Sequence, residues 1–310
     1  MTTIRDIAEK SGYSITTVSR VLNNRHYVSV KAKQDIEKTM KDLDYVPNAI
    51  ARDLSRGENR NIGVVLPHVK TPYFTQIING ILTEAFESGY QVVLLPSEYD
   101  QEMEMSYLEK LRSKTFSSLI FTTRKIDINE LIKYSKYGRI VCFEDPGEND
   151  LSAVYCNRMP SFIEAFKSIK KTGAKNIAVT LSRDFTVSVT GSEILCSYQH
   201  VFEKDPDKDL TVFDVITYED GYEAAKKVGT KADCFFATSD DVAAGIRQYY
   251  LDNDLKVPIL YGQENELSSQ LINIPTINHH YFEMGQTAFK MAKSKQKQRK
   301  SFGAEFIERK

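Results

Sequence analysis

A chain of 310 residues, 41% hydrophobic and 27% charged, is too apolar to be disordered and large enough to form a core without disulfides. The net charge is −1, but residues 1–60 carry 11 Lys or Arg against 8 Asp or Glu, whereas the remaining 250 residues carry 30 against 34. A mildly basic start on a mildly acidic body favours contact of the N-terminal part with nucleic acid.

The N-terminal stretch has no apolar segment typical of a secretory signal, and no apolar run approaches the roughly 20 residues that a membrane span needs. We therefore expect a cytoplasmic, nucleoid-associated protein without membrane contact. The cysteines form no C-x-x-C pair, which favours core packing over a redox or metal role. They are Cys142, Cys156, Cys196 and Cys234.

The first 46 residues predict three short helices, over residues 4–11, 15–23 and 29 to about 43. A tight turn at Gly12 separates the first two, and Ser14 is suited to cap the second. Val18, Val21 and Leu22 form the apolar stripe of that second helix. The arrangement predicts a helix-turn-helix DNA-binding headpiece; the alternative is a helical hairpin with an ordinary polar surface.

If the apolar stripe of the second helix faces inward, Ile15, Thr16 and Arg20 face outward. Thr can bond a base edge or pack on a thymine methyl, and Arg can bind guanine with two hydrogen bonds, so we expect these residues to read bases. Short polar donors nearby are suited to phosphates. The complete set of DNA-contacting residues predicted in the headpiece is Thr3, Ser14, Ile15, Thr16, Thr17, Ser19, Arg20, Asn23 and Tyr27.

After Pro47, residues 48–55 predict a further short helix, followed by a polar linker to residue 60. From Ile62 onward the pattern changes to apolar strand-like runs that alternate with amphipathic helical stretches, which is typical of a doubly wound α/β sheet. One large sheet or two similar lobes both fit this length. The strand-like runs are residues 62–67, 91–96, 118–123, 139–144, 176–181, 233–239 and 257–262.

Two further features have simple interpretations. The basic run KSKQKQRK, residues 293–300, is expected to be a solvated helix end rather than a second DNA site. The pair His279 and His280 lacks a third metal ligand, so we favour a structural or solvent-facing role.

Residues 3–24 (TIRDIAEKSGYSITTVSRVLNN) and 27–57 (YVSVKAKQDIEKTMKDLDYVPNAIARDLSRG) resemble the signature of the LacI family. They contain its V-S-R-V-L-N recognition helix, its Y-V-P-N-A-I-A junction and its hinge helix. The run that begins NIGVVLP at residue 61 resembles the first unit of the family's core. The chain as a whole is similar to the catabolite-control branch of Gram-positive bacteria.

The resemblance implies a headpiece (1–46), a hinge helix with linker (47–60) and a two-lobed periplasmic-binding-protein-like core (61–310). Lobe 1 would comprise about 61–156 and 282–300, and lobe 2 about 157–281 and 301–310. Paired hinges imply a homodimer on a near-palindromic operator. Leu54 would wedge into the minor groove, or pack between the hinges, or both. The hinge residues implied to contact DNA are Asn48, Ala51, Leu54 and Ser55.

The resemblance also implies an effector site between the lobes, near strand ends. An aromatic pair after the first core strand would pack on a sugar ring, although core packing is the ordinary role of such residues. The polar candidates follow strand-like runs, where surface ion pairs are the alternative. The expected effector-binding residues are Tyr73, Phe74, Arg124, Glu144, Asn157, Asp240 and Glu264.

The second lobe departs from the family pattern. Ile194 stands where the S-x-R-x-x-G-[FY] pattern has its ligand-holding arginine, and Cys156 and Glu264 replace aspartates of the V-D-N and G-F-D-[DN] motifs. Loss of these groups removes charge-assisted bonds to a polyhydroxy ligand. The effector that the resemblance implies is therefore an unusual sugar or a phosphorylated metabolite. The alternative is that a phosphorylated carrier protein acts as corepressor.

The sequence thus favours a DNA-binding regulator that represses carbohydrate-related genes over a cytoplasmic sugar-binding protein without regulatory DNA binding. It contains none of the phosphate-loop, dinucleotide-binding, nucleophile-elbow or zinc-protease motifs, so no enzyme, cofactor or metal site is expected.

Overall fold

Three helices form the N-terminal unit: Ile4–Ser11 (α1), Ile15–Leu22 (α2) and Val30–Asp42 (α3). The computed structural model describes residues 2–23, 27–46, 59–69 and 71–309. The predicted hinge helix lies outside the described residues, and so do the four hinge residues expected to contact DNA, which are Asn48, Ala51, Leu54 and Ser55.

The start of each headpiece helix is capped by a hydroxyl side chain. Thr3 and Asp6 form a reciprocal capping box at α1, and Gly12 ends that helix with a left-handed φ of 74°. Ser14 accepts a hydrogen bond from Thr17 N at 3.1 Å, which caps α2 as expected. The helices pack through the buried side chains of Ile7, Ala8, Val18, Val21 and Ile36.

The core unit, Asn61–Lys310, alternates strands and helices along the chain. The strands are β1 (Asn61–Leu66), β2 (Gln91–Pro96), β3 (Ser118–Phe121), β4 (Arg139–Cys142), β5 (Ser152–Asn157), β6 (Ile177–Thr180), β7 (Thr211–Val212), β8 (Cys234–Phe236), β9 (Ile259–Tyr261), β10 (Thr276–Asn278), β11 (Arg299–Gly303) and β12 (Glu305–Ile307). The helices are α4 (Pro72–Ser88), α5 (Gln101–Arg112), α6 (Ile128–Tyr134), α7 (Met159–Thr172), α8 (Val189–Phe202), α9 (Tyr218–Val228), α10 (Asp240–Asp252), α11 (Leu267–Leu271) and α12 (Tyr281–Lys293).

Two parallel sheets define two lobes. The larger has the order β11-β5-β4-β3-β1-β2, and the smaller has the order β7-β6-β8-β9. Buried strands such as β3, with four consecutive buried residues, are covered by helices on both faces, as continuous apolar runs predict. The α/β, two-lobed expectation is confirmed, and all seven predicted strand-like runs contain a strand.

The chain passes between the lobes three times. It leaves lobe 1 after β5, returns before α12, and leaves again between β11 and β12, where β12 pairs with β10 in an antiparallel ribbon. Strand β11 pairs with β5 as far as Gly303, so the expected lobe boundary near residue 300 moves to about residue 303.

Helices α4 and α12 pack unusually closely in lobe 1. A Cβ added to Gly80 would lie 2.0 Å from Phe282 O, and one added to Gly285 would lie 2.2 Å from Ile77 O. The two glycines therefore permit a close approach that larger residues would prevent. This approach brings the first turns of both helices, and their aromatic side chains, to the same end of the large sheet.

The structure also describes the cysteines and the basic run near the C-terminus. Cys142, Cys156 and Cys234 are buried as expected, but Cys196 is exposed. The basic run 293–300 begins at the end of α12, yet its last two residues are the first residues of β11. None of the helices in the described ranges is long and apolar enough to span a membrane.

Candidate functional site

One face of α2 is exposed along its length. Ile15 is 47% exposed, an unusual position for a large apolar residue in a small unit, and Thr16 and Arg20 are also exposed. Thr16 and Arg20 are four residues apart and therefore lie on one face of the helix. The structure thus places the three predicted base readers on the side of α2 that faces away from Val18 and Val21.

The remaining polar candidates flank this face. Thr17 and Ser19 are half-buried, and the hydroxyl of Thr17 lies 2.9 Å from that of Ser14. Asn23 donates from its side chain to Ser19 O at 3.0 Å. These bonds fix the side chains near the two ends of the helix.

The two outlying candidates, Thr3 and Tyr27, are both exposed. Thr3 caps α1 and donates its hydroxyl to Asp6. Tyr27 is 97% exposed and has a left-handed φ of 99°, which leaves its whole ring available to a partner.

The electrostatics of α2 suit an anion at its start. The first turn contains no acidic residue, and the backbone N–H groups of a helix N-terminus carry a partial positive charge. The same holds for α3, whose N-cap is Ser29 and whose first turn also lacks acidic residues. Two helix starts free of carboxylates favour phosphate contacts.

The core unit contains a cavity of about 640 Å³ between its lobes. Its walls come from the carboxyl ends of strands of both sheets, where doubly wound folds usually hold ligands. Six of the seven expected effector-binding residues line it, namely Tyr73, Phe74, Arg124, Glu144, Asn157 and Glu264.

Aromatic side chains form one wall of the cavity. The rings of Tyr73 and Tyr281 meet edge to face with centroids 4.5 Å apart, and His279 stacks on Tyr281 at 5.0 Å. Tyr73 also donates its hydroxyl to Thr122 O at 3.3 Å. Burial raises the pKa of Tyr73 to about 12 and lowers that of His279 well below its usual value, so this wall is uncharged near neutral pH. Of these aromatic residues, the sequence analysis proposed only Tyr73 for the site.

Arginines line other parts of the cavity. Arg124 forms an ion pair with Glu144 at the ends of β3 and β4, the kind of contact that was the alternative to effector binding for these residues. The guanidinium of Arg183 lies 4.6 Å above the ring of Tyr99 and so bridges lobe 2 to lobe 1.

Arg158 is one of the charged cavity residues that were not predicted from the sequence. It directly follows β5, lines the cavity, and pairs with Glu193 of α8 at 3.5 Å. Its place shortly after the end of a strand was visible in the sequence, as it was for Arg124 and Glu144, which follow β3 and β4 by two or three residues. Ile194, at the usual position of the family arginine, also lines the cavity and is buried in the core of lobe 2.

Asp240 is not in the cavity lining, which contradicts its expected role. It is fully buried at the start of α10, where it accepts hydrogen bonds from Thr276 Oγ1 at 2.6 Å and from Glu266 N at 2.7 Å. The carboxylate therefore organises the loop after β9 rather than reaching ligand. A position at a strand end indicated the correct region, but the local hydrogen bonds turned the side chain away.

A group of carboxyl side chains lies where this loop meets lobe 1. Gln76 of α4 donates to Glu264 O at 3.1 Å, which links the lobes. Burial, with Asp240 and Asp241 nearby, raises the pKa of Glu266 to about 8, and burial raises that of Asp240 to about 6. The pKa of Glu264 also rises well above its usual value, mainly because of burial.

These raised pKa values predict how stability changes with pH. Carboxyl groups with a higher pKa in the folded than in the unfolded protein bind more protons when folded, so stability falls as pH rises through that interval. We expect the thermal unfolding midpoint to fall between about pH 5 and pH 8. Glu266→Gln should flatten this fall and raise the midpoint at pH 8 above that of the unaltered protein.

Differential scanning fluorimetry across this pH range measures the effect. Glu109→Gln, which alters an exposed carboxylate of α5, is the matched control and should leave the curve unchanged. If Glu266→Gln and the unaltered protein give parallel curves, Glu266 does not titrate as described.

Two family comparisons cover nearly the whole chain. Residues 3–48 match the family described as "Bacterial regulatory proteins, lacI family", and residues 59–294 match "Periplasmic binding proteins and sugar binding domain of LacI family". Among curated proteins, Catabolite control protein B of Bacillus subtilis is 34% identical over 294 residues, which cover 94% of both chains.

Solved structures share the fold at low sequence identity. The lac repressor dimer bound to operator and the anti-inducer ONPF is 19% identical, with a TM-score of 0.79 over 99% of this chain and 98% of that one. A LacI family transcriptional regulator from Lactobacillus casei with bound glucose is also 19% identical, with a TM-score of 0.71 over 80% of this chain and 98% of that one.

Proposed function

Because the chain belongs to the LacI family of bacterial regulatory proteins, we propose that it is a repressor of carbohydrate-related genes that binds a near-palindromic operator as a homodimer. Members of this family are DNA-binding regulators rather than enzymes. We place the protein in the cytoplasm, on the nucleoid, where its DNA target lies.

The exposed face of α2 carries the DNA-binding proposal. Ile15, Thr16 and Arg20 project from a helix whose opposite side is packed into the headpiece core. A helix of this kind can enter the major groove, where Arg recognises guanine and Ile or Thr contacts a thymine methyl group. The flanking hydroxyls would bind phosphates, and the hinge residues expected from the sequence would contact the minor groove.

An exposed apolar surface of lobe 1 supports the homodimer. Strand β2 is at the edge of the large sheet, and its Val93 and Leu94 are 39% and 42% exposed. On the adjoining helix α4, Leu82 and Phe86 are one turn apart and 45% and 89% exposed. Exposed apolar side chains beside an open sheet edge are typical of an interaction surface, which a second copy of the chain would cover.

The interlobe cavity supports control by a small effector. An effector that binds one lobe arrangement more tightly would shift the headpieces of the dimer toward or away from DNA. The bound glucose of the Lactobacillus casei regulator favours a sugar-like ligand. The resemblance of the sequence to the catabolite-control branch leaves a phosphorylated carrier protein as the alternative corepressor.

Selection of DNA fragments by the purified full-length protein tests the proposal. We expect enrichment of a near-palindromic sequence, and affinity that decreases steeply between 50 and 200 mM salt because phosphate contacts release counterions. Repeating the selection with sugars and sugar phosphates would reveal an effector. Recovery of no preferred sequence, or a flat salt response, would contradict the repressor and favour a sugar-binding protein.

A further inference from the structure

We propose that the interlobe cavity binds a small ligand bearing a carboxylate or phosphate group, and that Arg158 holds this group. The inference rests on the proposed function, in which the cavity takes an effector, and it adds the chemical class of that effector.

Arg158 is a buried cation with unused hydrogen-bonding capacity. Its side chain is 11% exposed and it lines the cavity. A guanidinium has five N–H donors. Nη1 lies 3.4 Å from Cys156 O and 3.5 Å from Glu193 Oε2, both at the long limit of a hydrogen bond, while Nε has no partner among the described residues. Burying a guanidinium whose N–H donors lack good acceptors costs free energy, unless another group supplies acceptors and a counter-charge.

The surroundings of Arg158 supply only a poor counter-charge. Glu193 makes a single contact at 3.5 Å, and burial raises its pKa even with the arginine beside it. The other nearby groups, the phenols of Tyr73 and Tyr281 and the imidazole of His279, are uncharged near neutral pH. An anion with two oxygens would accept parallel hydrogen bonds from the guanidinium and match its charge.

A second cation lies on the cavity wall. Arg183 rests on the ring of Tyr99 and forms no ion pair within the described part of the chain. By contrast, Arg124 is matched by Glu144. The cavity therefore offers two arginines whose charge is poorly matched: Arg158 has one carboxylate contact at 3.5 Å, and Arg183 has no ion pair in the described part of the chain. Both favour an anionic ligand over a neutral one.

The aromatic wall indicates the rest of the ligand. Tyr73 and Tyr281, with centroids 4.5 Å apart, present ring surfaces beside Arg158. Such surfaces pack against the apolar face of a ring the size of a sugar. The ligand class is thus a small cyclic or polyhydroxy metabolite with one anionic group, such as a sugar acid or a sugar phosphate.

In this proposal Arg158 binds the ligand in place of the arginine that the family pattern has at position 194. Ile194 is 2% exposed and packed in lobe 2, so α8 offers an apolar side chain there. Arg158 instead enters from the first segment that connects the lobes. A ligand held at this segment would contact the region where one lobe moves relative to the other.

Isothermal titration of the full chain with four probes tests the inference: glucose 6-phosphate, gluconate, inorganic phosphate and glucose. We expect at least one anion to bind about tenfold more tightly than glucose, which corresponds to one charge-assisted contact. Arg158→Gln should remove this preference, and Arg158→Lys should weaken it. Glu193→Gln should tighten anion binding, because it removes the competing carboxylate. Arg112→Gln, at an exposed ion pair of α5, is the matched control.

The relative affinities of the four probes either identify the anionic group of the ligand or contradict the proposal. Preference for gluconate identifies a carboxylate ligand, and preference for glucose 6-phosphate a phosphate ligand. If glucose binds as well as the anions, if no anion binds at millimolar concentration, or if Glu193→Gln weakens binding, the proposal is wrong. If circular dichroism shows that Arg158→Gln does not fold, the affinities of Arg158→Lys and Glu193→Gln for the anions still test the proposal. Operator selection by the same preparation shows separately whether the repressor function holds.

Discussion

Replacement of Arg20 by alanine is expected to abolish operator recognition while the protein stays folded. Arg20 is exposed on the free face of α2 and contributes nothing to the packing of Val18 and Val21. Loss of a bidentate contact to guanine costs about 1–3 kcal/mol per half-site, so affinity should fall about 10- to 100-fold for each headpiece and further for the dimer.

Fluorescence anisotropy with the selected operator and with a scrambled duplex measures this loss. The specific affinity should collapse toward the non-specific value, whereas the non-specific affinity should change little. Arg112→Ala, which removes an equal charge from the surface of the core, controls for the general electrostatic effect. Unchanged discrimination between the two duplexes would show that α2 is not the recognition helix.

Phe86→Asp is expected to separate the dimer and thereby weaken operator binding by about a hundredfold or more. The side chain is 89% exposed in the isolated chain, next to the edge strand β2, and the proposed partner would cover it. A buried charge at an apolar interface opposes association, and a monomer loses the gain from binding two half-sites at once.

Analytical ultracentrifugation and operator titration, performed on the same samples, test this expectation. Leu271→Asp is the matched control, because Leu271 is 74% exposed but lies on lobe 2, outside the cavity lining. A dimer that persists in Phe86→Asp would place the interface elsewhere. A monomer with undiminished operator affinity would contradict the role of two-fold symmetry in recognition.

Local pattern predicted the three helices of the headpiece and seven of the twelve strands in the described residues. The spacing of Ile7, Val18, Val21 and Ile36, together with hydroxyl caps and Gly12, specifies three short helices without reference to the rest of the chain. Continuous apolar runs indicated the buried parallel strands for the same reason. Short strands such as β7 and β10, with two and three residues, carry too few side chains to show a pattern.

Sequence position and the family resemblance identified six residues of the cavity lining, but they could not show what each side chain contacts. Sequence position placed Arg124, Glu144 and Asp240 alike at strand ends, but hydrogen bonds from Thr276 and the Glu266 backbone turned Asp240 into a structural group. The role of Arg158 was not predicted because it depends on the contact with Glu193, 35 residues later in the chain, and on an Nε atom that has no hydrogen-bond acceptor among the described residues.

By itself, then, the sequence determined the helical headpiece, the α/β core and the outward face of α2, because each follows from the spacing of side chains within a few turns or one strand. The class of protein followed from the resemblance of its motifs to the LacI family. The tertiary structure alone decided which side chains share the cavity, which of them carry charge, and which surface of lobe 1 is left uncovered. Those properties arise from burial and from contacts between distant segments, such as the close approach of α4 and α12 at Gly80 and Gly285, and no local pattern encodes them.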